Sequence, residues 1–334
     1  MRRIPSIGAT AIACAWVAVS GSGWTETPNG PPPTYNITPL TVTPAPRLER
    51  SDIDRAADGF VRTRTVATRI GRVARWRVPM CPVVDGLPPE MNAAIAGRVR
   101  QIAIAAGAPV APPGCTPNNV QIEFTAQPKA LFDLARKRNW LVAGFHYASQ
   151  GQRVGEVTRP VQAWYVTATR STALGTAEAA TAFAGGMNSA TLQVTAGHNQ
   201  APTGPVGVAI IDDPFGRTPG SDPGSRMNDT LGSEFANVLV IIDQTKVAGD
   251  STQAVADYAG VMALAQIADL DACNVLPSVL DLFATGCSPS RSPEMLTASD
   301  LAFLQGLYGT ETRLEASYSR GAITTHVAQS LQSR

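Results

Sequence analysis

The sequence predicts an α+β fold: a mostly mixed sheet packed by helices, with a helical part closing the C-terminal side. Three observations carry this. Alternating or apolar runs at 73–80, 120–124, 161–168 and 235–243 read as strands. Between the earlier runs lie segments whose apolar residues recur at helical spacing. After residue 250 the strand signals stop, leaving a long apolar helix, a tight turn and further helices.

The 334 residues are 44% hydrophobic and 16% charged, enough for one large or two modest globular units. Residues 1–24 read as a secretory signal: Arg2 and Arg3, an apolar run over 7–19, then Ser-Gly-Ser-Gly. Ala18-Val19-Ser20 fits the small-x-small cleavage rule. A membrane anchor would need about 20 strongly apolar residues, and this run is shorter and diluted by Ala, Gly and Ser. A lipoprotein reading through Cys14 fails on the poor Ala11-Ile12-Ala13 box. The expectation is export, to the periplasm or beyond, with no transmembrane span in the mature chain. Losing two arginines from the 27 basic residues leaves 25 against 26 acidic ones, a charge of about −1. Without a basic run, that balance argues against nucleic acid or anionic membrane as partner.

Residues 25–60 read as a tether, with Pro28, Pro31 to Pro33, Pro39, Pro44 and Pro46 among Thr and Asn. The globular region is expected over 61–334, its helical part over 250–334. The first strand is read at 73–80 from the alternation of Val73, Arg75 and Arg77 with Ala74, Trp76 and Val78. Pro88-Pro89 opens a helix with the stripe Met91, Ile95, Val99, Ile102 and Ala106, ended by Gly107. A short strand at 120–124 leads to a helix over 128–138 with Leu131, Leu134 and Ala135 inward. A strand at 161–168 carries Trp164 and Tyr165. Residues 185–232 are rich in Gly, Pro, Asn and Asp, with a strand read at 206–211; so long a loop is a lid or a decorated connection. The run 235–243 is apolar throughout, hence a strand buried on both faces. A helix over 254–267 follows directly, with Asp250 or Ser251 as cap. Thr297 and Asp300 form a capping box for a helix with Leu301, Leu304, Leu307 and Tyr308 on one face.

Four cysteines remain after export: Cys81, Cys115, Cys273 and Cys287. An even number in an exported chain implies disulfides. Three pairings are possible, and proximity favours Cys81 with Cys115 and Cys273 with Cys287. No Cys-x-x-Cys occurs and no histidine lies near either pair, so the spacing does not fit a metal site.

The order from the apolar helix through Leu276-Pro277-Ser278-Val279-Leu280-Asp281 to Leu307-Tyr308-Gly309 resembles the C-terminal half of the zincin metallopeptidases. Those have a metal-binding helix, a tight turn near the metal and a final helix ending in Leu-Tyr-Gly. The zincin signature His-Glu-x-x-His sets two imidazoles on one helix face with a glutamate that polarises the bound water. Laid on this helix, the first histidine falls at Asp257, the glutamate at Tyr258 and the second histidine at Val261. In the longer form the glycine falls at Leu264 and the third ligand at Ile267; Leu280 takes the place of the methionine in the turn. None of these residues binds zinc as the family does, and no histidine lies between His198 and His326. The chain also resembles exported bacterial proteins sharing the Arg159-Pro160-Val161-Gln162-Ala163-Trp164-Tyr165 strand and the Leu-Pro-Ser-Val-Leu-Asp turn. The resemblance implies a zincin-like scaffold without its metal, and with no cofactor.

Other candidates are weaker. His146, in Gly144-Phe145-His146-Tyr147, reads as a half-buried strand residue and His198 as solvated, while His326 lies on the terminal helix. Asp212-Asp213-Pro214 reads as a turn, and no nucleophile elbow, Walker or Rossmann glycine pattern occurs. Asp257 is a lone carboxylate on an apolar helix and needs an arginine or a backbone donor. The leading expectation is a non-catalytic, pseudo-metallopeptidase binding or envelope-associated protein with a protein or peptide partner. The alternatives are a hydrolase using His146 or His198 with a carboxylate, and a structural subunit of an envelope assembly.

Overall fold

The computed structural model describes residues 40–44, 46, 48–138, 156–171, 231–288 and 293–333. Its described elements are helix α1 (Arg50–Arg64), strand β1 (Pro82–Asp85), α2 (Pro89–Ala106), β2 (Val120–Thr125) and α3 (Pro128–Arg138), then β3 (Val161–Ser171) and β4 (Leu231–Asp243). After these come α4 (Thr252–Leu264), a 3-10 turn (Val279–Phe283), α5 (Ala298–Gly309) and α6 (Ala316–Gln332). The fold is α+β with a mixed four-stranded sheet.

The sheet order is β1-β2-β4-β3. β1, β2 and β4 run parallel, whereas β3, the outer strand among the described residues, pairs antiparallel with β4, with a bulge between Val166 and Thr167. One face presents Val120, Ile122, Phe124, Val238, Val240 and Ile242 to the main core, where α2 and α4 pack. The other turns Leu239, Ile241 and Trp164 toward Phe132 of α3, whose ring stacks on Trp164 at 4.3 Å. β4 is thus covered on both sides, as its continuous apolar run requires.

Close approach depends on two glycines. Gly86, at φ +94°, turns the chain after β1, and a Cβ there would lie 1.9 Å from the Phe124 carbonyl oxygen. Gly260 lets α4 meet α2, since a Cβ would reach within 2.8 Å of Ile102 Cδ1. The C-terminal helices form their own layer. α6 packs on α1 and α5, and Phe60 meets Phe303 edge-on at 6.2 Å.

Four readings need correction or placing. Helix α1 begins at Arg50, inside the segment expected as tether, and Ile53, Ala56, Ala57, Phe60 and Val61 are buried. Those positions form a regular helical stripe that the proline-rich context before them masks. No strand forms at 73–80. Isolated bridges tie Val73 to Ala67, Arg75 to Glu234 and Met80 to Val110, while Val73, Ala74, Arg75 and Trp76 are all buried. The alternation therefore separates no core face from a solvent face, and the segment makes single bridges in place of a ladder. The pairing shifts to the short 82–85 run instead. The helix expected to 267 ends at Leu264. The strand read at 206–211 and most of the 185–232 loop lie outside the described residues.

At the end of the parallel strands Asp85 and Glu123 are register partners. Burial, with the Asp85 charge beside it, pushes the Glu123 carboxyl up to about 7. The folded chain therefore keeps a proton that the unfolded chain loses near pH 4.3. Stability should fall as pH rises from about 5 to 7, the reverse of a salt-bridged carboxylate. Glu123→Gln should stabilise the protein at pH 8 and leave it nearly unchanged at pH 4, checked by urea midpoints at both values.

Candidate functional site

Helix α4 is buried from Ala254 to Leu264, and Asp257 is its one charged residue. Asp257 is fully buried and takes a two-pronged contact from Arg98 of α2, Nε to Oδ1 at 2.5 Å and Nη2 to Oδ2 at 2.9 Å. Gln253 Nε2 lies 3.2 and 3.3 Å from the two oxygens, and the Leu296 amide donates to Oδ2 at 2.7 Å. The partners that the apolar helix demanded are thus both an arginine and a backbone donor. The forked guanidinium suits this geometry because it satisfies both carboxylate oxygens at once.

Asp257 points at α2. Tyr258, the next residue, faces the 3-10 turn, with its ring 5.0 Å from Phe283. Val261 is buried one helical turn from Asp257, Leu280 is buried within the 3-10 turn, and Ile267 is half-buried beyond the end of the helix. The structure therefore gathers Tyr258 with the turn, and Asp257 with Arg98 on the far side.

The turn is a second polar centre. Asp281 accepts from the Ser278 amide at 3.0 Å and from buried Arg64 of α1 at 3.3 Å. Arg64 also donates to the Asp269 carbonyl at 3.0 Å and lies over the Phe60 ring. Asp300, at the start of α5, accepts from Ser278 Oγ at 2.6 Å, from the Val279 amide at 2.8 Å and from the Thr297 amide at 3.1 Å. The capping box read from Thr297 and Asp300 is present, and a second one joins Ser278 to Asp281. Burial raises the Asp300 carboxyl, opposed by these hydrogen bonds, and lowers Arg64, opposed by the Asp300 and Asp281 charges.

The C-terminal carbonyls of α4 are met by side chains. Tyr165 Oη on β3 lies 2.8 Å from Met262 O and 3.0 Å from Ala265 O, sharing its single proton between them. Trp76 Nε1 donates to Ala263 O at 2.8 Å, and Tyr308 Oη of α5 to Leu264 O at 2.9 Å. Burial holds the Tyr165, Tyr258 and Tyr308 phenols well above the ordinary tyrosine range. All three stay protonated at physiological pH, so Tyr165 and Tyr308 remain donors. Arg75, also buried, donates to Leu307 O and Thr310 O at the end of α5, where the helix dipole favours a cation. Burial pulls its guanidinium down to about 10.

Cys81 pairs with Cys115 (Cα–Cα 5.9 Å) and Cys273 with Cys287 (5.3 Å). Residues 271–287 form the loop beside Tyr258. Asp271 there is held by Arg159, just before β3, and by Thr285. That fork holds the Asp271 carboxyl well below the usual range. His326 lies on α6 against Gly306 of α5, with Nε2 buried and without a hydrogen bond. His146 and His198 lie outside the described residues.

The sequence asked for an arginine without naming Arg98; its place between Ile95 and Ile102 on the buried face of α2 is the signal that could have found it. The Arg64–Asp281 and Arg159–Asp271 pairs join residues 217 and 112 apart, a separation at which no local pattern operates. Among the described residues, no group of three histidine, cysteine, aspartate or glutamate side chains is placed to hold a metal ion. No described helix is long and apolar enough to cross a membrane. Comparison with protein-family models, curated proteins and solved structures finds no match.

Removing one partner of the α2–α4 pair should be far worse than removing both. Arg98→Met should destabilise by about 3–5 kcal/mol because it strands a buried carboxylate. Arg98→Met with Asp257→Leu should recover much of that loss. A double-mutant cycle by urea unfolding measures the coupling.

Proposed function

We propose that this chain is an exported, non-catalytic binding protein on a degenerate zincin-like frame, holding an extended peptide along β3. The observation that carries the reading is the state of α4. Its only carboxylate is engaged by Arg98, Gln253 and the Leu296 amide, so the helix offers no free carboxylate to bind a metal or polarise water. The two cysteine pairs fit an oxidising compartment.

The scaffold resemblance draws support from the element order. Strand β4 leads directly into α4, the 3-10 turn and α5 follow, and α5 closes on Leu307-Tyr308-Gly309. β3 is the outer strand beside β4 among the described residues, where the resemblance puts a peptide-holding edge. Within this reading the old ligand register lies one residue beyond Asp257. Tyr258 and Met262 then replace the two histidines and Ala259 the glutamate. The motif's glycine, a residue type that ends helices, falls on Ala265, the C-cap of α4.

The test is direct. Elemental analysis of purified mature protein should find no stoichiometric zinc. A panel of unstructured peptides should be retained by the protein without new termini by mass spectrometry, with or without added zinc. Zinc-dependent cleavage would contradict the reading, as would a panel in which no peptide is retained.

Restoring the motif separates the two registers. Tyr258→His with Ala259→Glu and Met262→His should bind zinc more tightly than Asp257→His with Tyr258→Glu and Val261→His. The latter also strands Arg98 and should unfold at lower urea. Zinc titration and unfolding curves of the two variants decide between them.

A further inference from the structure

The two cysteine pairs differ in exposure. Cys81 is buried and Cys115 half-buried, whereas Cys273 is exposed and Cys287 half-buried. The exposed pair closes the loop after α4. Asp271 lies two residues before Cys273, and Thr285 two residues before Cys287, so the bond holds these residues side by side. Asp271 Oδ1 accepts from the Thr285 amide at 3.2 Å and from its hydroxyl at 2.9 Å. The same oxygen accepts from Arg159 Nη1 at 3.1 Å, and Oδ2 from Arg159 Nη2. At Gly286 a Cβ would stand 3.0 Å from the Asp271 carbonyl oxygen, so the two arms of the loop are in close contact.

Arg159 belongs to the segment leading into β3. The Asp271 carboxylate is therefore a fastening between that segment and the C-terminal half of the chain, and the disulfide keeps its receptor assembled. We propose that Cys273–Cys287 is a redox latch: its reduction by a dithiol loosens the Arg159–Asp271 fastening and frees the entry to β3.

The chemistry balances as thiol–disulfide exchange. A thiolate of the reductant attacks exposed Cys273 Sγ, forming a mixed disulfide and releasing Cys287 as thiolate. The second thiol of the reductant, as thiolate, displaces Cys273. The reductant leaves as its cyclic disulfide, two cysteine thiols form, and their protons come from the two reductant thiols. Without the cross-link, Asp271 and Thr285 are joined only through the intervening loop, and the carboxylate loses the neighbour that orients it toward Arg159. The segment concerned leads into the strand used in the peptide-binding reading, and the latch would gate that strand. The test below reads amide exchange and not peptide binding, so either proposal can fail alone.

The experiment treats the folded mature protein with millimolar dithiothreitol without denaturant, alkylates it, maps the modified cysteines and follows amide hydrogen exchange over 156–163. Cys273 and Cys287 should be alkylated while Cys81 and Cys115 stay protected, and exchange over 156–163 should rise several-fold with the far-ultraviolet circular dichroism unchanged. Asp271→Asn should give a similar rise with both disulfides intact. The latch is overturned if all four cysteines react together or if reduction unfolds the whole chain. Unchanged exchange over 156–163, in the reduced protein or in Asp271→Asn, also overturns it.

Discussion

A helix buried from Ala254 to its last residue has nowhere to send its last carbonyls. In α4 water cannot reach the C-terminal turn, and an unsatisfied buried carbonyl costs roughly 1–3 kcal/mol. Val261 O is met by the Ala265 amide. Met262, Ala263 and Leu264 are met by Tyr165, Trp76 and Tyr308. Those three donors come from the outer strand, from the segment before β1 and from α5. The end of one helix thus fixes how three separate parts of the chain approach it. Aromatic side chains suit the task because each buries a large apolar ring and delivers one donor at its tip.

The middle and base of the same helix are held by charge. Arg98 and Asp257 join α4 to α2, and Gly260 one turn away lets the two helices come close. Around the 3-10 turn, Arg64, Asp281, Ser278, Thr297 and Asp300 do for α1 and α5 what the aromatic donors do for β3. Buried ion pairs add little net stability compared with apolar replacements, but a mispaired one is costly. Their contribution here is orientation: each specifies a single arrangement of helices that apolar packing alone would leave slack.

The sequence disclosed these features unevenly. Local chemistry was readable: the capping box at Thr297 and Asp300, the buried strand at β4, the stripe of α2 with Gly107 at its end, and the need of Asp257 for a partner. What failed depended on burial from two sides. The 73–80 segment alternates in sequence, yet Arg75 is buried because its guanidinium caps α5, a contact 232 residues away. Helix α1 carries a clear stripe from Ile53 to Val61 but follows a proline-rich run that reads as unstructured. The facing of α4 was also beyond the sequence. An apolar helix shows no preferred side, so only the position of Arg98 reveals that Asp257 turns toward α2 and Tyr258 toward the turn.

If α4 is the element on which the other layers depend, its amides should be the last to open. Native-state hydrogen exchange across a range of sub-denaturing urea concentrations measures this residue by residue. The amides from Tyr258 to Leu264 should exchange only through global unfolding, with the same free energy and denaturant dependence as those of β2 and β4. Exchange of α4 through a smaller opening, while β2 and β4 stay protected, would contradict the account.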